Sequence, residues 1–301
     1  MTVRTRNRLI ALSIIAAPFV FLLGLLLFWD AEPLPPVPPL PNPNGYEALV
    51  KAGEMITTKV EFTELKNLSQ EELHILVSKN LEALQIARTG LQQESRVPLD
   101  YSSTSTRVLI RQSSLLHLAF AFEAEGKLAE MENHTNDTIR SYLDLIRLGN
   151  ESSRGGVIID QLVGIAIESL GTEQLQKLVD QLDAKSCREI GAALKTLDSQ
   201  RQTWDEVMQQ ENAWSRASFR GWRYELMRWK DRKSMTAMFT KIRQKFDAQA
   251  QRTRQLTLDL AARAYELDKG HPPANVSDLA PDYLKAVPQD PITGTNMVYL
   301  P

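Results

Sequence analysis

The sequence predicts a mainly α-helical protein, with an N-terminal transmembrane helix, an extracytoplasmic domain of stacked antiparallel helix pairs and a short irregular C-terminal tail that could include a small strand. Three observations lead to this fold class. Residues 9–29 contain no charged side chain, no proline occurs between Tyr101 and His271, and apolar residues in that proline-free part recur every three or four positions. The first is typical of a membrane span, and the other two are typical of amphipathic helices.

The apolar run from Leu9 to Trp29 is the predicted membrane anchor, and its bilayer is the first predicted partner. At about 1.5 Å per residue, the run has the length of a helix that crosses the hydrocarbon core. Arginines precede it and Asp30 follows it, so the positive-inside rule places the N-terminus in the cytoplasm and the remainder outside. The alternative is a cleaved signal peptide, which the bulky Phe28 and Trp29 disfavour at the expected cleavage site.

Five segments follow from this topology. They are a cytoplasmic N-terminus (1–8), the transmembrane helix (9–29), a proline-rich linker (30–43), the α-helical extracytoplasmic domain (44–269) and the C-terminal tail (270–301). Residues 33–43 contain seven of the 15 prolines, which favours a stiff polyproline II spacer over a ligand for proline-recognition domains.

The composition excludes several classes of function. All 37 acidic residues, but only 32 of the 35 lysines and arginines, lie after the predicted span, so the exterior part is acidic and no nucleic-acid partner is expected. Cys187 is the single cysteine, which excludes an intrachain disulfide and a thiolate metal cluster. Hydrophobic packing therefore has to stabilise the domain.

Local signals divide the first half of the helical domain. Ser69 followed by Glu72 forms a capping box, which predicts the start of a helix that reaches Leu91. A helix near Ser105–Ala124 is expected to meet a turn at Gly126, after which another runs from Leu128 to Leu148.

The second half begins with an apolar stretch. Residues 157–170 are apolar on nearly every side, which predicts a helix in the middle of the core. Two further helical stripes follow it: Leu175, Leu178, Val179 and Leu182, and then Ile190, Leu194, Leu197, Trp204 and Val207.

The longest periodic stretch spans residues 239–267. Its seam is apolar at both ends and polar at Gln249 and Thr253 in the middle. One alternative is that this seam packs on its own domain, and the other is that it forms a homodimer interface. The two polar positions weaken a continuous zipper and favour the first alternative.

After Gly270 the chain becomes rich in proline, with one short helix expected near Val276–Val287 and a strand considered at Met297–Leu300. This tail resembles the C-terminal region of type II secretion major pseudopilins. The matching residues are Tyr265, Leu267, Asp268, Gly270, Pro273, Leu279, Pro281, Tyr283, Leu284, Pro288, Asp290, Pro291 and Gly294. No Gly-Phe processing site precedes Leu9, so the resemblance implies a related subdomain within a different protein.

The whole arrangement is similar to uncharacterised bacterial envelope proteins that have one anchor, a proline-rich tether, a segment like Gln161–Ile167 and this tail. That resemblance implies a single-pass protein of the bacterial inner membrane and supplies no activity. Separately, Ala119, Phe122 and Gly126 have the spacing of half a tetratricopeptide repeat, which favours stacked helix pairs.

Few residues suggest chemistry. Glu71 and His74 share one helical face but lack the second motif that a carboxylate-bridged metal site needs. Asp290, Thr293, Thr295 and Asn296 form an oxygen-rich loop for which calcium and an ordinary turn are the alternatives. Motifs for a nucleophile elbow, a phosphate loop or a zinc protease are absent from the sequence. No cofactor, metal or enzymatic activity is therefore expected.

One stretch combines positive charge with aromatic side chains. The candidate contact patch for a membrane or a partner consists of Arg216, Phe219, Arg220, Trp222, Arg223, Arg228, Trp229 and Lys230. The alternative is a core face with solvated cations opposite, because aromatic residues at helical spacing are usually buried.

These observations favour a membrane-anchored helical protein of the cell envelope that acts by binding or scaffolding. The first alternative is an accessory component of a secretion or pilus-like assembly, which the tail suggests. The second is an envelope enzyme of unrecognised type.

Overall fold

The structure is a computed structural model that describes residues 17–22, 24, 36–57, 62–99, 105–218 and 231–299. From residue 45 onward, the described part contains nine α-helices: α1 (Gly45–Glu54), α2 (Phe62–Leu65), α3 (Gln70–Leu91), α4 (Ser105–Met131), α5 (Thr135–Ser153), α6 (Ile158–Leu178), α7 (Ala184–Ser199), α8 (Trp204–Ser218) and α9 (Arg232–Lys269). The described residues include no strand, so the predicted mainly α fold class is confirmed.

The predicted membrane topology is wrong. Among the described residues, no helix has both the length and the apolar character that crossing a bilayer requires. Within the predicted span, the described part of the chain includes only residues 17–22 and 24. Leu9 and Trp29 lie outside the described residues. The single-pass topology and the inner-membrane localisation are therefore withdrawn.

The capping box was predicted correctly, but the turn at Gly126 was not. Ser69 and Glu72 cap the start of α3 as expected. Helix α4, in contrast, passes through Gly126 and ends at Met131, and Asn133 then makes the turn with a φ of 60°. The Tyr142 ring packs directly on Gly126, where a Cβ atom would clash with it. Glycine at this position permits a close helix contact and does not end the helix.

Helices α5 and α6 form the most extensive contact between described helices, and glycines allow the two backbones to approach closely. A Cβ atom added at Gly149 would lie 2.5 Å from the carbonyl oxygen of Gly164, and one at Gly164 would lie equally close to that of Gly149. One added at Gly171 would lie 2.5 Å from the carbonyl oxygen of Tyr142. The helix predicted at 157–170 continues to Leu178. Gly171 does not end it, because glycine at this position allows the close contact with α5.

Helix α9 packs along α7 and α6, and its polar seam positions are buried. Gln249 accepts a hydrogen bond from the Ser169 hydroxyl at 2.7 Å, and the Thr253 hydroxyl donates to Glu168 at 2.9 Å. The seam thus packs within its own domain from Phe246 to Ala264. A homodimer through residues 239–267 stays a prediction.

The tail folds back on α9. Gly270 ends α9 with a φ of 78°, and Leu279, Leu284 and Met297 form a small cluster with apolar residues of the helix. The helix expected at Val276–Val287 is only a 3-10 turn, Val276–Leu279, because Pro281 has no N–H to continue it. The strand considered at the end is absent from residues 297–299, and a single bridge pairs Gln289 with Asn296.

Candidate functional site

The basic and aromatic contact patch lies almost entirely outside the described residues. Only Arg216 is described, in α8, where its Nε atom donates to the carbonyl oxygen of Asn212 at 3.4 Å. Phe219, Arg220, Trp222, Arg223, Arg228, Trp229 and Lys230 fall outside the described part of the chain. The patch therefore stays a prediction.

The oxygen-rich loop of the tail uses its oxygens to build a turn. One carboxylate oxygen of Asp290 accepts hydrogen bonds from the N–H groups of Ile292 and Thr293, at 2.7 and 3.0 Å. The other oxygen accepts from the Gln251 amide at 2.8 Å. These backbone hydrogen bonds lower the pKa of Asp290. The ordinary-turn alternative accounts for the two backbone contacts, and the Gln251 contact joins the turn to α9.

Metal-ligating residues are scattered over the described part of the chain. Glu71 and His74 both lie exposed on the surface of α3. No group of three or more His, Cys, Asp or Glu side chains converges within the described residues.

A groove between helices α5 and α7 is one of the concave surfaces that the structure describes. Its volume is about 370 Å³, within the ~300–1,000 Å³ range of ligand pockets. We call it the α5–α7 groove, and its lining residues are Asn136, Ile139, Arg140, Leu143, Asp144 and Arg147 from α5, and Ser186, Glu189, Ile190 and Ala193 from α7.

A contact between α5 and α7 marks one end of the groove. One turn beyond Arg147, the Asn150 side chain of α5 donates a hydrogen bond to the Leu197 carbonyl oxygen of α7 at 3.3 Å. The lining residues precede this contact on both helices. We call the end beside Arg147 and Ala193, where the two helices are joined, the closed end, and the opposite end the open end.

Apolar side chains form the floor of the groove. Ile190 is fully buried, whereas Ile139, Leu143 and Ala193 are half-buried and keep part of their surface in the groove. A row of half-buried apolar groups along a concave surface is typical of a site that takes apolar side chains of a ligand.

Charged side chains at the rim differ in how they are paired. Arg140 forms an ion pair with Asp137 at 2.8 Å, on the outer surface of α5. Arg147 lies 3.8 Å from Asp144, which is too far for a hydrogen bond, and its side chain is 43% exposed. Arg147 makes no hydrogen bond to any residue that the structure describes. Its five N–H donors are therefore available to an anionic ligand.

The carboxylate at the base of the groove is already satisfied from beneath. Burial raises the pKa of Asp144, whose side chain is 6% exposed, and the ion pair with Arg88 acts in the opposite direction. The Arg88 Nε atom donates to Asp144 at 2.8 Å, and the same guanidinium is bonded to Glu125. One guanidinium is thus shared by two carboxylates, and Arg147 supplies a second positive charge near Asp144 without a hydrogen bond.

A second polar cluster lies between α6, α7 and α9. Arg201 is bonded to Glu168, and Asp198 links Arg201 to Arg254. The crevice beside Arg201 and Glu168 has a volume of about 10 Å³, which is room for one water molecule. Asp198 and Arg254 also line a separate depression of about 280 Å³ between α7, α9 and the tail. Because the four charged groups are bonded to one another, we assign them to the packing of α6, α7 and α9.

Asp160, in the first turn of α6, is a buried carboxyl group with a raised pKa. Burial raises its pKa to about 6, although it accepts a hydrogen bond from the Val157 N–H at 2.8 Å. This acceptor role at the first turn of α6 replaces the side-chain cap that Val157 cannot supply. The group is buried and serves the helix terminus.

Comparisons with known proteins add no relative: no protein family, curated protein or solved structure matches this chain.

The groove was missed at the sequence level. Ile139, Leu143 and Ile190 have the helical spacing of any core-facing stripe, and Arg140 and Arg147 look like a solvated face. The only available signal was the heptad spacing of the two arginines beside an apolar stripe, which many surface helices share.

Proposed function

We propose that this protein is a helical binding or scaffold protein that takes a segment of a polypeptide partner in the α5–α7 groove. One observation carries the proposal: the groove combines an apolar floor with a guanidinium, that of Arg147, which makes no hydrogen bond to a described residue. Apolar anchors together with one oriented charge are how peptide grooves obtain both affinity and specificity.

The geometry supports binding better than catalysis. The titratable groups with raised pKa values, such as Asp144 and Asp160, are buried and bonded to neighbouring side chains or backbone. The groove itself offers no nucleophile beside a base: Ser186 is its one hydroxyl, and no histidine lines it.

A second candidate is an accessory role in a secretion or pilus-like assembly, which the tail suggests. Two residues of the pseudopilin-like pattern occupy turn positions that need them. Gly270 adopts a left-handed conformation at the end of α9, and Asp290 closes the turn that contains Gly294. Co-purification with secretion components would support this candidate, and their absence beside a different partner would contradict it.

The proposed function is tested by site-specific photo-crosslinking in the native host. Benzoylphenylalanine replaces Ala193, which lines the groove, or Ala192, its exposed neighbour on the same helix. We expect a discrete cross-linked product from position 193 and little or none from position 192. Equal products from the two positions, or none from either, would contradict the proposal.

A pair of arginine variants makes the test specific. Arg147→Gln should lower the cross-linking yield at position 193 severalfold, because it removes the charged anchor. Arg243→Gln is the matched control, since Arg243 lies 3.6 Å from an aspartate on α9 and is also largely exposed. The same loss in both variants would show that the product does not depend on the groove.

A further inference from the structure

The dimensions of the groove select the conformation of its occupant. From Asn136 to Arg147 the α5 wall is about 16 Å long, so a volume of about 370 Å³ corresponds to a cross-section of roughly 23 Å². A helix about 10 Å wide has a cross-section of roughly 80 Å², and half of it would still occupy roughly 40 Å². An extended chain in a sheet has a cross-section of roughly 47 Å², and the half that faces the groove has about half of this area.

An extended segment therefore fits, with alternate side chains inserted and the opposite face in solvent. At ~3.3 Å per residue, a length of about 16 Å accommodates about five residues, of which two or three insert their side chains. The half-buried Ile139 and Leu143 are four residues apart on α5, about 6 Å along the groove. That separation matches alternate positions of an extended chain.

The closed end decides which part of a polypeptide reaches Arg147. The contact between Asn150 and Leu197 blocks the continuation of the groove one turn beyond that residue. A chain that enters from the open end must therefore turn out of the groove or end there. Arg147 stands at this point with an exposed guanidinium, and Asp144 beneath it is already paired with Arg88.

We propose that the α5–α7 groove binds the free C-terminus of a partner polypeptide in an extended conformation. Arg147 receives the terminal carboxylate, and the last side chain, which is apolar, lies among Leu143, Ile190 and Ala193. This inference rests on the proposed function and makes it more specific. A guanidinium binds a carboxylate through two parallel hydrogen bonds, which an internal peptide bond cannot offer.

The test uses two peptide libraries of randomised hexapeptides, one displayed with free C-termini and the other followed by a Gly-Ser-Gly-Ser extension. Sequences enriched on the full-length protein are then synthesised as fluorescein-labelled acids and as C-terminal amides. We expect enrichment from the first library only, with an apolar last residue. Amidation should weaken binding at least about tenfold, because a charge-assisted hydrogen bond is lost.

Variants assign the effect to Arg147. Arg147→Gln should reduce the difference between acid and amide to less than about twofold, and Arg147→Lys should keep part of it. Arg243→Gln is the matched control, because Arg243 lies on α9, 3.6 Å from an aspartate, and does not line the groove. Circular dichroism of each variant establishes that it is folded.

Each outcome distinguishes the two proposals. Enrichment from the extended library, or equal affinity of acid and amide, overturns the terminal-carboxylate inference and leaves the groove as a peptide site. No enrichment from either library, together with no product from position 193, overturns both. Equal losses in the Arg147→Gln and Arg243→Gln proteins would place the carboxylate elsewhere.

Discussion

Helix α5 has two faces that differ in how closely the next helix approaches. On one face, Gly149 and Gly164 bring the backbones of α5 and α6 into direct contact. On the other, α7 diverges from α5 and leaves the groove of about 370 Å³. Both faces carry apolar side chains, so hydrophobicity alone does not distinguish them. What distinguishes them is whether small residues allow the neighbouring helix to close the gap.

The two faces also differ in how their charged side chains are paired. On the side of the closed interface, Arg201 and Glu168 are both almost inaccessible, and each is bonded to the other. At the groove, Arg147 is 43% exposed and lies 3.8 Å from its nearest carboxylate. We infer that the first arrangement contributes to stability and that the second is available to a ligand. The following experiments test this difference, from the largest expected effect to the smallest.

Removing the buried guanidinium should have the largest effect. Arg201→Met leaves Glu168 without its partner in the core and should lower the free energy of unfolding by about 3–5 kcal/mol. Arg147→Met is the matched variant at the groove and should change the free energy of unfolding by less than about 0.5 kcal/mol. Urea denaturation of both proteins measures the difference. Similar losses would contradict the distinction between the two arginines.

Asp160, at the start of α6, should make stability depend on pH. Its pKa is raised from 3.8 to about 6, so the folded state holds this proton more tightly than the unfolded state. The resulting stabilisation is complete below pH 4, is lost as the pH rises through about 6 and stays lost above it. The shift corresponds to about 3 kcal/mol between those limits.

The variant for this experiment is Asp160→Asn, which keeps an oxygen for the Val157 N–H but does not titrate. Denaturation with urea between pH 4 and 7 should show a flatter profile for the variant than for the unsubstituted protein. Parallel profiles would mean that Asp160 has an ordinary pKa in the folded state.

One methyl group added at the contact between α5 and α6 should destabilise the protein. Gly164→Ala places a Cβ atom against the backbone of Gly149, which the helices can relieve only by moving apart, so we expect a loss of about 2 kcal/mol. Gly191→Ala is the control, because nothing lies within 4 Å of its Cβ position on α7. That substitution should stabilise the protein by about 0.5–1 kcal/mol through helix propensity.

Thiol reactivity compares the two faces of α7 by their access to a reagent. Cys187 is buried, and burial raises its pKa to about 11, so it should react slowly with an iodoacetamide probe at neutral pH. Ser186→Cys in a Cys187→Ala background places the thiol at the groove. It should react at least about 100-fold faster. Equal rates would indicate that the groove is closed in solution.

The sequence predicted the helices better than their packing. The capping box of Ser69 and Glu72 located the start of α3, because the two side chains are close in the chain and act locally. The sequence predicts a turn at Gly126, since glycine commonly interrupts a helix. Its actual role is contact with Tyr142, which depends on a different helix and leaves no local signal.

The same reasoning explains why the groove was not predicted. The half-buried Ile139 differs from a core residue only in lacking a neighbour on one side, and the arrangement of α5 and α7 decides that. The membrane span was inferred from hydropathy between Leu9 and Trp29, whereas the described helices are too polar or too short to cross a bilayer. Hydropathy therefore gave a wrong topology where periodicity gave the correct fold class.

The most direct test of the central claim, that the α5–α7 groove is the binding site, is an isoleucine methyl NMR titration with a selected C-terminal peptide. The methyl resonances of Ile139 and Ile190 should shift on binding, because both side chains line the groove. Those of Ile146 and Ile167, which are fully buried in the core, should stay unchanged. Binding without shifts at Ile139 and Ile190, or with larger shifts at Ile146 and Ile167, would contradict the claim.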